Sequence, residues 1–214
     1  MDWEKLITLF LVLIFSLTFH EAAHGLFAWL GGDRTAKDKG LVTLNPIPHM
    51  RREPIGMVLI PIAILVFSDG KACFGGASAP IDPYWAARHP KRAALMSAAG
   101  PLANVVLVAV GFAIMYFIGK PDGDAEGTLF DTAHIIFLLN LLLAIINLLP
   151  LPPFDGAGVV SGLIPFTGRL FSAYTKIPPY WIISMVVAYM AMNYTFWPTY
   201  FQIIEWLPYP PTYR

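Results

Sequence analysis

Four long apolar stretches constrain the fold of this chain more than any other feature of its sequence. Each has between 17 and 26 residues, and together they contain a single charged residue. An α-helix rises ~1.5 Å per residue, so about 20 apolar residues cross a bilayer core of ~30 Å. The sequence therefore predicts an all-α, multi-pass membrane protein with about four spanning helices, at residues 6–30, 93–118, 133–149 and 180–204.

The composition supports a bilayer environment. Hydrophobic residues make up 57% of the chain and charged residues 13%, against ~25% charged in ordinary globular domains. Basic and acidic residues balance at fourteen each, so there is no net charge to attract nucleic acid. Cys73 is the single cysteine, which excludes an intrachain disulfide framework. An acidic N-terminus without a small-residue cleavage site predicts that the first stretch is a retained helix and not a signal peptide.

A fifth apolar segment, residues 54–68, is shorter and contains Pro61. If it dips into the membrane and returns, eleven Lys and Arg residues lie on one side and three on the other; if it crosses, each side has seven. The positive-inside rule favours the uneven distribution, so we expect a re-entrant segment. Residues 40–44 and 77–81 are short pieces bounded by Gly and Pro, which predicts a small β element at the membrane edge.

The first apolar stretch carries the pentapeptide His20-Glu21-Ala22-Ala23-His24. Residues i and i+4 share one face of a helix, so both imidazoles can bind one metal ion, and imidazole nitrogen suits zinc. Glu21 lies beside that face, where it can act as a general base. The alternative is a chance pattern whose histidines are merely hydrogen-bonded. Three ionisable groups at this depth cost several kcal/mol unless something binds them, which favours the metal.

A catalytic zinc site takes three protein ligands, and the third must be sought elsewhere in the chain. Asp155 and Glu205 are the other acidic residues with apolar surroundings on both sides. Glu205 lies near a helix end, where an anchoring role at the interface is the simpler explanation. Asp155 follows Pro150, Pro152 and Pro153, and irregular backbone at membrane depth is tolerated where it is buried or lines a water-filled cavity. Asp155 could instead be the N-cap of the helix that follows it.

Three motifs together resemble the site-2 protease family of intramembrane zinc metalloproteases, in its compact prokaryotic form without a PDZ domain. They are the pentapeptide at 20–24, Gly-Pro-Leu-Ala-Asn at 100–104 and Asn-Leu-Leu-Pro-Leu-Pro-Pro-Phe-Asp-Gly at 147–156. The resemblance covers about residues 6–164. Phe154 departs from the usual Leu before the Asp-Gly pair, but it is also apolar.

The resemblance implies a set of functional residues. His20, His24 and Asp155 would be the zinc ligands, and Glu21 would be the catalytic base. Asn104 and Asn147 would lie near the substrate. It divides the chain into a protease core, residues 1–164, and a C-terminal helix with a proline-rich tail, residues 165–214.

The sequence thus predicts a zinc-dependent endopeptidase of a prokaryotic inner or plasma membrane, which cleaves transmembrane protein substrates in or next to their membrane segments. Its partners are then the substrate and the lipid bilayer, with no nucleic acid. The alternative is a membrane metal-binding or metal-transfer protein without hydrolysis, which would have no need for Glu21. A different protease type with the same pentapeptide would require Glu205 as its third ligand.

Overall fold

The computed structural model describes residues 3–211, in which the regular secondary structure is entirely helical. In chain order the helices are α1 (Trp3–Leu30), α2 (Thr35–Asp38), α3 (Pro46–Arg52), a π-helical segment (Ile55–Leu59) that continues into α4 (Ile60–Phe67), α5 (Pro83–Arg88), α6 (Pro90–Ile118), α7 (Asp124–Asn147), α8 (Asp155–Leu163), α9 (Pro165–Tyr174) and α10 (Tyr180–Ile204). Helix α6 packs against α1, α7 and α8, and α10 packs against α7.

Among the described residues, three helices are long and apolar enough to cross a membrane: α1, α6 and α7. Helix α10 forms at the predicted residues, 180–204, but with its Tyr, Trp, Asn and Thr side chains it is not among the helices whose hydropathy reaches that of a candidate span. The predicted all-α membrane architecture is therefore confirmed for three candidate spans, and a fourth stays a prediction. The surface also fits a lipid environment, since large apolar side chains such as Phe67 and Phe117 are 90% and 85% exposed.

Two apolar clusters hold the bundle together. The first joins α1, the π-helical segment and α7 through buried side chains such as Leu13, Met57 and Leu143. The second, which we call the aromatic cluster, joins α6, α7 and α10. Its buried members are Val108, Met115, Phe130, Ala133, Phe137, Leu141, Phe196, Tyr200, Ile204 and Leu207.

The chain before and after the short apolar segment lies close together. Residues Ile55–Phe67 are helical, and 13 residues span only ~20 Å, which is less than a bilayer core. After a turn at Gly70, which has a positive φ of 74°, the chain returns extended through residues 72–82. The Arg52 guanidinium donates a hydrogen bond to the Ser78 carbonyl, so the two ends of the excursion meet. This geometry supports the predicted re-entrant path.

Residues 3–211 contain no β-strand, so the predicted small β element is not confirmed. Residues 72–82 are extended, but a single backbone-to-backbone hydrogen bond joins them to an earlier part of the chain, from the Gly76 amide to the Gly56 carbonyl at 3.1 Å. Residues 40–44 lie against α1, where Val42 and the Leu41 carbonyl are next to Gly25. No ladder forms between the two pieces.

The end of α1 is tied to the start of α5 by a buried carboxylate. Asp33 accepts hydrogen bonds from the amide and hydroxyl of Thr35, at 2.9 and 2.5 Å, and from the Asp82 amide at 2.9 Å. Burial alone would raise the pKa of Asp33, but these three hydrogen bonds outweigh it and lower the pKa. The indole of Trp85 adds a hydrogen bond to the Gly31 carbonyl. These contacts fix the position of α1 relative to α5.

Candidate metal centre

Two histidines and one carboxylate converge at the centre of the bundle. His20 and His24 lie one turn apart on α1, with their Nε2 atoms 3.0 Å from each other. Asp155, the first residue of α8, places Oδ2 at 3.1 Å from Nε2 of His20 and Oδ1 at 3.3 Å from Nε2 of His24. In the part of the chain that the structure describes, this is the one group of residues that could hold a metal ion.

The donor set and its spacing fit zinc. Two imidazole nitrogens and a carboxylate oxygen are typical ligands of a catalytic zinc, and two atoms that each bind a tetrahedral zinc at ~2.0 Å lie about 3.3 Å apart. The three separations, from 3.0 to 3.3 Å, are close to that value. Three hydrogen-bond acceptors in such proximity repel one another unless a cation or protons lie between them.

Hydrogen bonds at the back of each ring direct the imidazole nitrogens toward this centre. Nδ1 of His20 lies 2.6 Å from Oδ1 of Asn104, and Nδ1 of His24 lies 2.7 Å from the Met96 carbonyl. Both partners are oxygens that only accept, so each Nδ1 carries a proton, and in the neutral ring each Nε2 presents its lone pair. This is the arrangement that metal-binding histidines need.

Glu21 lies between the two histidines in sequence and is 4% exposed. Its Oε2 is the single buried side-chain nitrogen or oxygen atom within residues 3–211 that has no hydrogen-bond partner. A buried polar atom without a partner is costly. Because Glu21 lines the cavity next to His20 and His24, a water molecule or a substrate group in that cavity would satisfy it.

The chain approaches the histidines closely at Gly100 of α6. A Cβ atom at this position would lie 2.5 Å from Nε2 of His20 and 2.6 Å from its Cε1, which is closer than van der Waals contact allows. A glycine therefore lets α6 pack directly against the metal-binding face of α1. The sequence motif drew attention to residues 100–104, but its spacing alone could not show which residue had to be small.

Asp155 reaches the histidines because α7 ends before the prolines. Helix α7 stops at Asn147, and α8 begins at Asp155 with Phe154 in the N-cap position. The Asp155 carboxylate is directed to His20 and His24. The N-cap alternative for Asp155 is therefore not the arrangement seen. Glu205 is the C-cap residue of α10 and is exposed, so it does not join the group.

The two asparagines predicted to lie near the substrate occupy different environments. Asn147 is half-buried, donates to the Leu143 carbonyl at 3.0 Å and lines the cavity beside the histidines. This cavity has a volume of about 380 Å³. Asn104 is fully buried behind His20, and its Nδ2 donates to Oδ1 of Asn140 at 2.8 Å. Sequence analysis did not single out Asn140 as part of the site.

Comparison with known proteins identifies similar chains in bacteria. The chain is 35% identical over 197 residues to the Bacillus subtilis protein named "Putative zinc metalloprotease YwhC", with 89% of this chain and 84% of that protein covered. It is 27% identical over 194 residues to "Putative zinc metalloprotease Rip2" of Mycolicibacterium smegmatis, with 90% and 70% covered. The protein of the same name in Mycobacterium tuberculosis is also 27% identical, over 193 residues. No family model matches the chain, and no solved structure matches it.

Proposed function

Because the chain belongs to the site-2 protease family of intramembrane zinc metalloproteases, we propose that it hydrolyses peptide bonds in or next to transmembrane segments of substrate proteins. The observation that carries the proposal is the convergence of His20, His24 and Asp155, with Glu21 beside them and partly unpaired in the cavity. The three apolar helices and the zinc metalloprotease names of the relatives support the same conclusion.

In the proposed site, His20, His24 and Asp155 hold one zinc ion. Bound zinc supplies Lewis acidity, which makes a nearby water more acidic and a peptide carbonyl more electrophilic. Asp155 adds a negative charge that offsets part of the charge of the ion. The Nδ1 hydrogen bonds of the two histidines keep both rings oriented while a substrate enters and leaves.

Glu21 is the proposed general base. Its carboxylate takes a proton from the attacking water and then passes it to the amine that leaves when the peptide bond breaks. The unpaired Oε2 atom supports this role, because an oxygen already held by a protein donor would be less free to accept a proton. The same atom argues against the metal-transfer alternative, which no observation on the molecule favours.

The cavity supplies space for an extended substrate and for water. Its lining includes the extended chain at residues 74–79, Asn147 and, from α10, Met185. We propose that Asn147 contacts the substrate backbone. Because Met185 belongs to residues 165–214, the C-terminal part of the chain would contribute to the substrate chamber of the core formed by residues 1–164.

We place the protein in a prokaryotic inner or plasma membrane, with both flanks of the re-entrant segment on the cytoplasmic side. Cysteines introduced at Lys39 and at Arg88, in a Cys73→Ser background, should then react with a membrane-impermeant reagent from the cytoplasmic side. Labelling of the two positions from opposite sides would mean that residues 54–68 cross the membrane.

Proteomics of membrane fragments tests the proposed activity. Cells that produce the intact protein should accumulate cleaved membrane-protein fragments that are absent from cells producing Glu21→Gln, because the amide cannot accept the proton. Identical fragment patterns in the two strains, at equal protein levels, would contradict the proposed hydrolysis.

A further inference from the structure

Three fully buried polar side chains connect the metal centre to the middle of the bundle. Ser16 of α1, Asn104 of α6 and Asn140 of α7 are each 0% exposed, and each comes from a different long helix. Asn140 Nδ2 lies 2.9 Å from Ser16 Oγ, Asn104 Nδ2 lies 2.8 Å from Asn140 Oδ1, and Asn104 Oδ1 lies 2.6 Å from His20 Nδ1. We propose that this amide relay is a positioning device that fixes His20 for metal binding, an inference that rests on the proposed function.

The direction of the relay is set by the main chain of α7. Nδ2 of Asn140 donates to the Ile136 carbonyl at 2.8 Å. A carbonyl oxygen can only accept, so the amide group of Asn140 has its nitrogen on this side and its oxygen toward Asn104. The Ser16 hydroxyl, which accepts from the same nitrogen, is compatible with this orientation. The Ile136 carbonyl sets the direction of the first link, and the Ser16 hydroxyl helps to hold the amide in that orientation.

The remaining links follow from the first. Because Oδ1 of Asn140 faces Asn104, Asn104 must present its Nδ2 there and its Oδ1 toward His20. An amide oxygen cannot donate, so the proton of the His20 ring lies on Nδ1 and the lone pair lies on Nε2. Nε2 is the atom that faces Asp155, at 3.1 Å. The orientation of one buried amide on α7 thus determines which nitrogen of His20 can bind the metal.

The two histidines of the site are held by different means. His24 donates to the Met96 main-chain carbonyl, and no side-chain substitution removes that acceptor. His20 depends on two side-chain amides. Ser16 and Asn140 do not line the cavity, so their effect on the site can only pass through the bundle. The relay predicts that substitutions at Asn104 and Asn140 weaken the metal site.

Zinc affinity of the purified full-length protein tests the relay, measured by competition with a chromophoric chelator. Asn104→Leu should lower the affinity by about 10- to 100-fold, the range typical for lost hydrogen bonds to metal-bound histidines. Asn140→Leu should lower it by a smaller but measurable factor. Leu141→Met changes the neighbouring residue, which packs in the aromatic cluster, and should bind zinc as the parent does.

The double variant separates a relay from independent packing effects. Once Asn104→Leu has disconnected Asn140 from His20, adding Asn140→Leu should cost no further affinity. Additive losses, or an Asn140→Leu protein that binds zinc as tightly as the parent, would overturn the relay. A parent protein that fails to bind zinc would instead contradict the proposed function.

Two further measurements apply if the leucine variants do not fold. Ser16→Ala should bind zinc more weakly than Thr18→Val, which also removes a buried hydroxyl from α1 but one that bonds only to the Ile14 carbonyl. Nitrogen-15 NMR of the zinc-loaded parent should show His20 protonated at Nδ1. Equal affinity of these two variants, or zinc bound through Nδ1 of His20, would overturn the relay.

Discussion

The candidate metal centre and the aromatic cluster show two ways of joining helices, with α6 taking part in both. At the metal centre, helices are joined by directional contacts: carboxylate to imidazole, imidazole to amide, and a glycine where a Cβ does not fit. In the aromatic cluster, rings such as Phe137, Phe196 and Tyr200 meet with centroids about 6 Å apart and mixed orientations. Directional contacts depend on particular atoms, whereas apolar packing depends mainly on volume.

This difference predicts where the chain tolerates substitution. At the metal centre, changes that preserve volume but alter one atom should be severe. In the aromatic cluster, changes that preserve volume should be mild. Zinc content and stability, measured for substitutions in both regions, test whether they differ in this way.

The largest effect is expected at Asp155. Asp155→Asn keeps the size of the side chain but removes its charge, and a neutral amide oxygen is a poorer zinc ligand, so most of the bound zinc should be lost. Metal analysis of the purified protein measures this. Glu205→Gln is the matched control, since Glu205 is exposed at the end of α10, and it should keep its zinc. Stoichiometric zinc and normal cleavage in Asp155→Asn would remove Asp155 from the site.

The next effect is expected at Gly100. Gly100→Ala places a methyl group at 2.5 Å from Nε2 of His20, so the histidine or α6 must move and zinc affinity should fall at least ~10-fold, as for other disturbances of ligand orientation. Gly127→Ala on α7 is the control, because a Cβ there meets nothing within 4 Å. Chelator competition compares the two, and equal affinities would show that the close approach at Gly100 has no influence on the site.

A smaller effect is expected at Asp33, and it should depend on pH. The pKa of Asp33 is lowered in the folded protein, so its contribution to stability is present above the unfolded pKa of ~3.9 and is lost as the pH falls through the folded value. Asp33→Asn should therefore have a lower Tm than the parent at pH 7, and the gap should narrow below pH ~4. A gap that does not change with pH would contradict this account of the carboxylate.

The smallest effect is expected in the aromatic cluster. Leu141→Met keeps the side-chain volume at a position that is 6% exposed, so the free energy of unfolding should fall by less than about 1.5 kcal/mol. Zinc content should not change. A loss of zinc in this variant would show that the two regions are not separable, because Leu141 follows Asn140 directly on α7.

Much of this architecture could be predicted from the sequence because it depends on local pattern. The apolar run at 6–30 and the run at 180–204 correspond closely to α1 and α10. The apolar run at 133–149 is shorter than α7, which begins at Asp124. The first two turns of α7 are polar, so they fall outside a stretch defined by hydropathy. The break at the prolines was visible in the sequence, since Pro150, Pro152 and Pro153 remove three amide donors within about one helical turn.

The sequence could also indicate which residues to bring together, but not how they are held. Asp155 could be preferred to Glu205 as the third ligand because it follows a proline break, which is a local feature of the sequence. The contact of Asn104 with Asn140 depends on the register between α6 and α7, which hydrophobic periodicity does not specify. The predicted β element was based on Gly and Pro boundaries alone, and those also fit the extended chain observed at 72–82.

Zinc content and cleavage, measured separately in two variants of α1, test whether His24 holds the metal and Glu21 acts as the base. Glu21→Gln should retain one zinc per chain and lose cleavage, because in the proposed mechanism Glu21 moves the proton and does not hold the metal. His24→Ala should lose both, because it removes a ligand. Zinc loss in Glu21→Gln equal to that in His24→Ala, or cleavage that persists in Glu21→Gln, would contradict the roles assigned to these residues.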